Sequence, residues 1–261
     1  PIFTLCINQA TLRFTLEAKE DKKLIFSYSL MVVFSGIVLL LLAVVGFFNV
    51  NGMGTYLFTT TMLLSSNFLY VIISEFVRGL EEIRVFVIGN ILSVFISVSL
   101  NIVTIVFLNW GVNGYIISFT VAYCVATAYY IIKMRLLNYL TAKIFERENT
   151  FVLIKMIKYS VYLVPNTFFW WITNASDRYM ILYYLGTHDN GIYAVSNKIP
   201  IIITSVCGVF IQAWTLTAVK ENWTKDNNDY NERVCQNVFS FTFIISSITL
   251  LFVKVFIHLY V

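Results

Sequence analysis

Polar side chains set inside apolar sequence are the residues best able to do chemistry in this chain, and they gather between residues 165 and 200. The stretch Asn174-Ala175-Ser176-Asp177-Arg178-Tyr179 places an acid beside a base within one long apolar run, and Asn197-Lys198 follows beyond a turn at residues 186–190. Asp177 and Arg178 stand about eight residues, or ~12 Å of helix, before that turn, and Lys198 stands about eight residues after it. A hairpin folded there brings Asp177, Arg178 and Lys198 to one depth, with Asn174 about a turn deeper and Asn197 beside Lys198. A charge held in hydrocarbon costs about 2.5 to 3.5 kcal/mol on insertion scales, so each of these groups requires a partner or a ligand. Two readings are open. In one, Asp177 pairs with Lys198 or Arg178 and stitches the hairpin together. In the other, the excess positive charge meets an anionic headgroup such as a phosphate, with Arg178 supplying bidentate contacts and Lys198 a point charge.

Pro165 and Pro200 interrupt the same two helices, and each removes a backbone hydrogen bond. A bend at either position is a static kink or a gating hinge. The remaining polar residues read more plainly. Glu75 and Arg78, three apart, make an interfacial pair, and Asn67 and Asn101 read as interhelical hydrogen bonders. Trp170 and Trp171 read as packing or interface anchors, with stacking on sugars as the alternative. No HExxH, GxSxG or phosphate-binding loop occurs, so neither a catalytic constellation nor a cofactor is expected. Cys6, Cys124, Cys207 and Cys235 are scattered singly, which excludes a zinc site and a disulfide framework.

The elements that must position these groups follow from composition. The chain has 261 residues, of which 59% are hydrophobic and 12% charged, against about a quarter charged in soluble domains. A net charge of +4 is too small to mark a nucleic-acid surface. Spanning helices need about 20 apolar residues, and seven such runs occur, at 24–48, 57–77, 85–108, 112–132, 156–185, 191–219 and 234–260. Gly and Asn mark the turns at 49–55, 109–111 and 186–190. The alternate connections hold fifteen of the eighteen Lys and Arg residues. The positive-inside rule therefore places those connections in the cytoplasm and the Gly/Asn turns outside. Residues 136–155 read as a cytoplasmic amphipathic helix or a solvated loop, linking a partial first bundle (1–135) to a partial second bundle (156–261).

Gln9-Ala10, the charged pair Lys19-Glu20 and the run from Leu24 recur in outline as Gln212-Ala213, Lys220-Glu221 and the run from Val234. This echo, at an offset of about 203 residues, predicts an internal repeat of six helices within a parent of about twelve, with chain both before Pro1 and after Val261.

The residues Tyr159-Ser160-Val161-Tyr162-Leu163-Val164-Pro165-Asn166, Trp170-Trp171, Asn174 to Tyr179, Leu185-Gly186, Gly191-Ile192-Tyr193, Asn197-Lys198-Ile199-Pro200 and Gln212-Ala213-Trp214 resemble segments of the polysaccharide-transport family. The segments Gln9 to Phe14 and Gly111 to Tyr115 resemble it too, so that the likeness runs over essentially the whole chain. The resemblance implies an all-α membrane protein, part of a MATE-like two-bundle transporter, in the bacterial inner membrane. It implies a flippase moving an undecaprenyl-pyrophosphate-linked oligosaccharide outward for O-antigen, capsule or exopolysaccharide synthesis. Membrane lipids, a polysaccharide polymerase and a chain-length regulator are its implied partners. A membrane-embedded polymerase or glycosyltransferase is the alternative, disfavoured because the expected external turns are short.

Overall fold

A computed structural model describes residues 3–17, 20–51, 54–141, 146, 149–220 and 225–251. Among these residues there are nine α-helices and no strand. They are α1 (Ile7–Glu17), α2 (Lys22–Asn51), α3 (Gly54–Gly79), α4 (Ile83–Asn101), α5 (Gly111–Met134), α6 (Thr150–Tyr184), α7 (Thr187–Ser196), α8 (Lys198–Lys220) and α9 (Lys225–Leu251). Five segments are long and apolar enough to cross a membrane: Lys22–Val44, Tyr56–Gly79, Ile83–Phe107, Gly111–Met134 and Glu232–Leu251. The chain is therefore a multi-pass membrane protein. The other two runs read from sequence differ for identifiable reasons. Run 156–185 lies in α6, whose Lys158, Asn166, Asn174, Asp177 and Arg178 dilute its apolar character, and run 191–219 is cut into α7 and α8 at Asn197.

Two compact units divide the chain, Pro1–Phe169 and Trp170–Val261, with the boundary inside α6. In the first unit α3 packs against α1, α2 and α5, and α5 packs against α4. The α4–α5 contact shows why this sequence folds in lipid. Gly89, Ser93 and Ser97 line the buried face of α4, and Gly114, Ser118, Ala122 and Ala126 that of α5, each set spaced by four residues. Small residues at that spacing let two backbones approach closely. The large residues Ile88, Ile91, Phe95 and Val106 point outward instead, where lipid rather than water surrounds them. Thr104 and Ser118 hydroxyls bond across the pair at 3.0 Å. The β-branched run after Asn101 widens into a π-helical turn, Ile102–Phe107, and Asn109 and Gly111 take the positive φ values of 53° and 55° that reverse the chain.

At the opposite end of this unit, Phe26, Tyr28, Phe76, Leu136 and Met156 form a core. Leu136, Tyr139, Val152 and Leu153 of the stretch 136–155 belong to it. Arg135 turns the chain with a left-handed φ of 48°, Leu136–Tyr139 forms a single 3-10 turn, and the Tyr139 carbonyl accepts from the Ser27 hydroxyl at 3.4 Å. Residues 142–145 and 147–148 of that stretch lie outside the described residues. From Thr150 the chain is already α6, and Lys155 pairs with Glu20 at 2.7 Å. The first unit thus takes in this stretch and the first half of α6.

Candidate functional site

In the second unit, the polar residues of α6 share a face because they are three and four apart. Trp171, Asn174, Arg178 and Leu182 form one stripe, flanked by Asp177. A second stripe crosses from α7 into α8 through Asn190, Tyr193, Asn197, Ile201 and Thr204. The two stripes enclose a cavity of about 650 Å³.

The turn that sets their register is tighter than the sequence indicates. The amides of Leu185 and Gly186 both donate to the Ile181 carbonyl, at 2.9 and 3.2 Å. Gly186 then takes φ 90° and ψ −173°, a region open in practice only to glycine. Thr187 begins α7, so His188, Asp189 and Asn190 are helical rather than part of a five-residue turn. The chain reverses about Leu185, and the residue brought opposite Asp177 is Tyr193, each eight positions from that centre. The Tyr193 hydroxyl donates to Asp177 Oδ2 at 3.3 Å. Depth arithmetic from a turn centred near residue 188 pairs Asp177 with Lys198 instead. That register is off by more than one helical turn, because the turn is two residues long.

Lys198 opens α8 as an exposed residue and is not among those lining the cavity. Asn174, Asp177, Arg178, Asn197 and Pro200 are. Among the described residues Asp177 forms no ion pair with Arg178 or Lys198; its hydrogen bond to Tyr193 stands where the stitch was expected. No carboxylate pairs with Arg178 among the described residues either. The Asn174 amide donates to the Trp170 carbonyl at 2.7 Å, which fixes its rotamer along its own helix.

The two prolines act differently. Pro200 has no N–H for the Ser196 carbonyl, and its ring crowds that carbonyl, so the break falls four residues upstream. α7 ends at Ser196, Asn197 N–H bonds to Tyr193 O at 3.0 Å, and Ile201 N–H resumes the ladder on Asn197 O at 3.1 Å. Pro200 itself sits in the first turn of α8, where a missing N–H costs little. Because the i→i−4 bonds continue on either side of the break, the three- and four-residue spacing carries one polar stripe across the two helices. Pro165 cannot donate to the Val161 carbonyl, yet α6 runs on through it from Thr150 to Tyr184.

Asn190, Tyr193 and Thr204 were not anticipated as site residues. Their spacing of three and four from Asn197 is the sequence signal that points to them. Of the lesser candidates, Glu75 and Arg78 do pair, at 3.3 Å, with Arg78 buried and its guanidinium 5.9 Å from the Phe86 ring centre. Asn67 and Asn101 do not act as interhelical bonders: no hydrogen bond to either carboxamide is made among the described residues, and Asn101 Oδ1 is buried unpaired. No group of three His, Cys, Asp or Glu residues able to hold a metal occurs among the described residues.

The cavity offers one guanidinium, the Asp177 carboxylate engaged by Tyr193, the carboxamides of Asn174, Asn190 and Asn197, and the rings of Trp171, Tyr179 and Tyr193. Such a set can hold an anion at the cation and hydroxyl-bearing groups at the amides and aromatic faces. No family model, no curated protein and no solved structure matches the chain.

Proposed function

We propose that this chain is part of a MATE-like flippase of the polysaccharide-transport family, with seven of about twelve membrane-crossing helices, acting in the bacterial inner membrane. Its cargo is a polyprenyl-pyrophosphate-linked oligosaccharide carried from the inner to the outer leaflet by alternating access. The observation that carries the reading is the 650 Å³ cavity, which couples an Arg178 guanidinium unpaired among the described residues to amide and aromatic groups. A pyrophosphate at Arg178 gains charge-assisted hydrogen bonds of about 1.5 to 3 kcal/mol each. The sequence echo at an offset of about 203 residues supports a two-bundle parent. The break at Asn197 supports a movable wall. Lys198, exposed at the start of α8, contributes long-range attraction rather than direct contact.

The test is binding and flipping of a fluorescent lipid-linked oligosaccharide by the protein in proteoliposomes. Arg178→Ala should weaken binding at least tenfold and slow flipping while the protein stays inserted and folded. Lys198→Ala should lower the binding rate at low salt more than the affinity. Unchanged flipping by a well-folded Arg178→Ala variant would reject the headgroup role.

A further inference from the structure

The first unit contains a second cavity, of about 360 Å³, whose lining includes no charged residue. It forms where the chain enters α1. Leu5 and Cys6 both take left-handed backbone conformations, with φ of 48° and 54°, a strain that non-glycine residues sustain only when their surroundings hold them there. The Ile7 amide closes the turn on the Thr4 carbonyl at 2.9 Å, the Gln9 amide bonds to the Cys6 carbonyl at 3.1 Å, and the Cys6 thiol points to Thr167 Oγ1 at 3.6 Å. Asn67 lines the same cavity from the middle of the Tyr56–Gly79 span, which sets the turn at mid-membrane depth. Non-helical backbone at that depth persists only where protein buries it or a polar cavity adjoins it.

Three carboxamides face this space, Asn8 and Gln9 from α1 and Asn67 from α3, and none of them has a hydrogen-bond partner among the described residues. Each carries two donor hydrogens and an acceptor oxygen. All three are partly or fully exposed, so their donors and acceptors are open to a group that enters the cavity. The lining selects the kind of ligand. With no Lys, Arg, Asp or Glu present it does not compensate a charge, and with three amides together it matches a group bearing several hydroxyls or an acetamido group. Phe68, Val71 and Ile72 on the same wall supply an apolar surface. A pyranose has both features, a hydroxyl edge and a C–H face.

We propose that this cavity is a neutral sugar-binding site, in which Asn8, Gln9 and Asn67 take the hydroxyl or acetamido groups of one ring while Phe68 packs against its C–H face. The choice of a sugar rests on the reading that the cargo is a glycan. The amide chemistry is independent of any phosphate and of Arg178.

The experiment is saturation-transfer difference NMR on the purified protein with two free, uncharged disaccharides as probes, one of hexoses and one of N-acetylhexosamines. Neither carries lipid or phosphate, so the outcome is separate from that of the headgroup. At least one should receive saturation from the protein. Asn67→Leu and Gln9→Leu should each reduce that transfer fivefold or more, and Arg178→Ala should leave it unchanged. Gln9 is exposed, so Gln9→Leu carries the test if Asn67→Leu elutes as misfolded protein. Absence of transfer to both probes, or transfer unaffected by the amide substitutions, would overturn the sugar site and leave the Arg178 reading to its own assay. Transfer lost only in Arg178→Ala would also overturn it.

Discussion

Asp177 stands beside the cation that the proposed mechanism needs, and the Tyr193 hydroxyl is what engages its carboxylate. Removing that hydroxyl leaves the carboxylate available to neutralise Arg178. Tyr193→Phe should therefore weaken binding of the lipid-linked pyrophosphate about three- to tenfold, the worth of one ordinary hydrogen bond of about 0.5 to 1.5 kcal/mol. Asp177→Asn removes the competing charge and should hold or raise affinity with no loss of thermal stability. Equilibrium binding with a melting curve for each variant checks both, and a destabilised Asp177→Asn protein would favour the structural role instead. A second residue-scale prediction concerns Gly89, where a Cβ would overlap the Tyr130 ring. The Tyr130 hydroxyl donates to the Phe86 carbonyl at 2.9 Å and shares Asn90 Oδ1 with the Tyr70 hydroxyl. Gly89→Ala should cost about 1 to 3 kcal/mol by overpacking, read as a lowered melting temperature in detergent, and Tyr130→Leu in the same protein should recover part of it.

Among elements, the α4–α5 pair and the α7–α8 break carry the clearest consequences. Ala122 and Ala126 are fully buried between helices that approach through small residues. Ala122→Leu should force them apart and destabilise by about 1 to 3 kcal/mol, whereas Val121→Leu, on the exposed side, should be nearly silent. Trypsin sensitivity in native membranes distinguishes the two. At the break, Pro200→Ala restores an N–H able to bond the Ser196 carbonyl. It should fuse α7 and α8 into one straighter helix, which keeps Asn190, Tyr193 and Asn197 on one face but removes the bend between them and so reshapes the cavity wall. The measurable result is loss of lipid-linked oligosaccharide binding together with unchanged or raised thermal stability, the pattern of a functional kink rather than a structural fault.

At the scale of the whole chain, orientation is the property most open to test. In a background with the four native cysteines replaced by alanine, Trp110→Cys and His188→Cys should label with an impermeant maleimide from outside intact cells, and Lys22→Cys and Glu82→Cys should label only after lysis. Labelling of the second pair from outside would reverse the assignment.

Membrane character, five of the seven spanning runs and the reversals at 109–111 and 186–190 were legible from sequence alone because each depends on local properties: apolar length and a Gly or Asn able to take positive φ. Asn109, Gly111 and Gly186 turn the chain within the stretches where those residue types mark a turn. Contacts between distant residues were not legible in this way. Shortening the 186–190 turn to Leu185–Gly186 moves the residue opposite Asp177 from Lys198 to Tyr193, and no count along the chain reveals the length of a turn to within one residue. Asn67, read as an interhelical bonder, lines a cavity with Asn8 and Gln9 because α1 lies against α3 and its preceding turn is left-handed. Local sequence determines which segments are helices, whereas only tertiary packing decides which polar faces meet, because that depends on a helical register where one residue turns a side chain by about 100°.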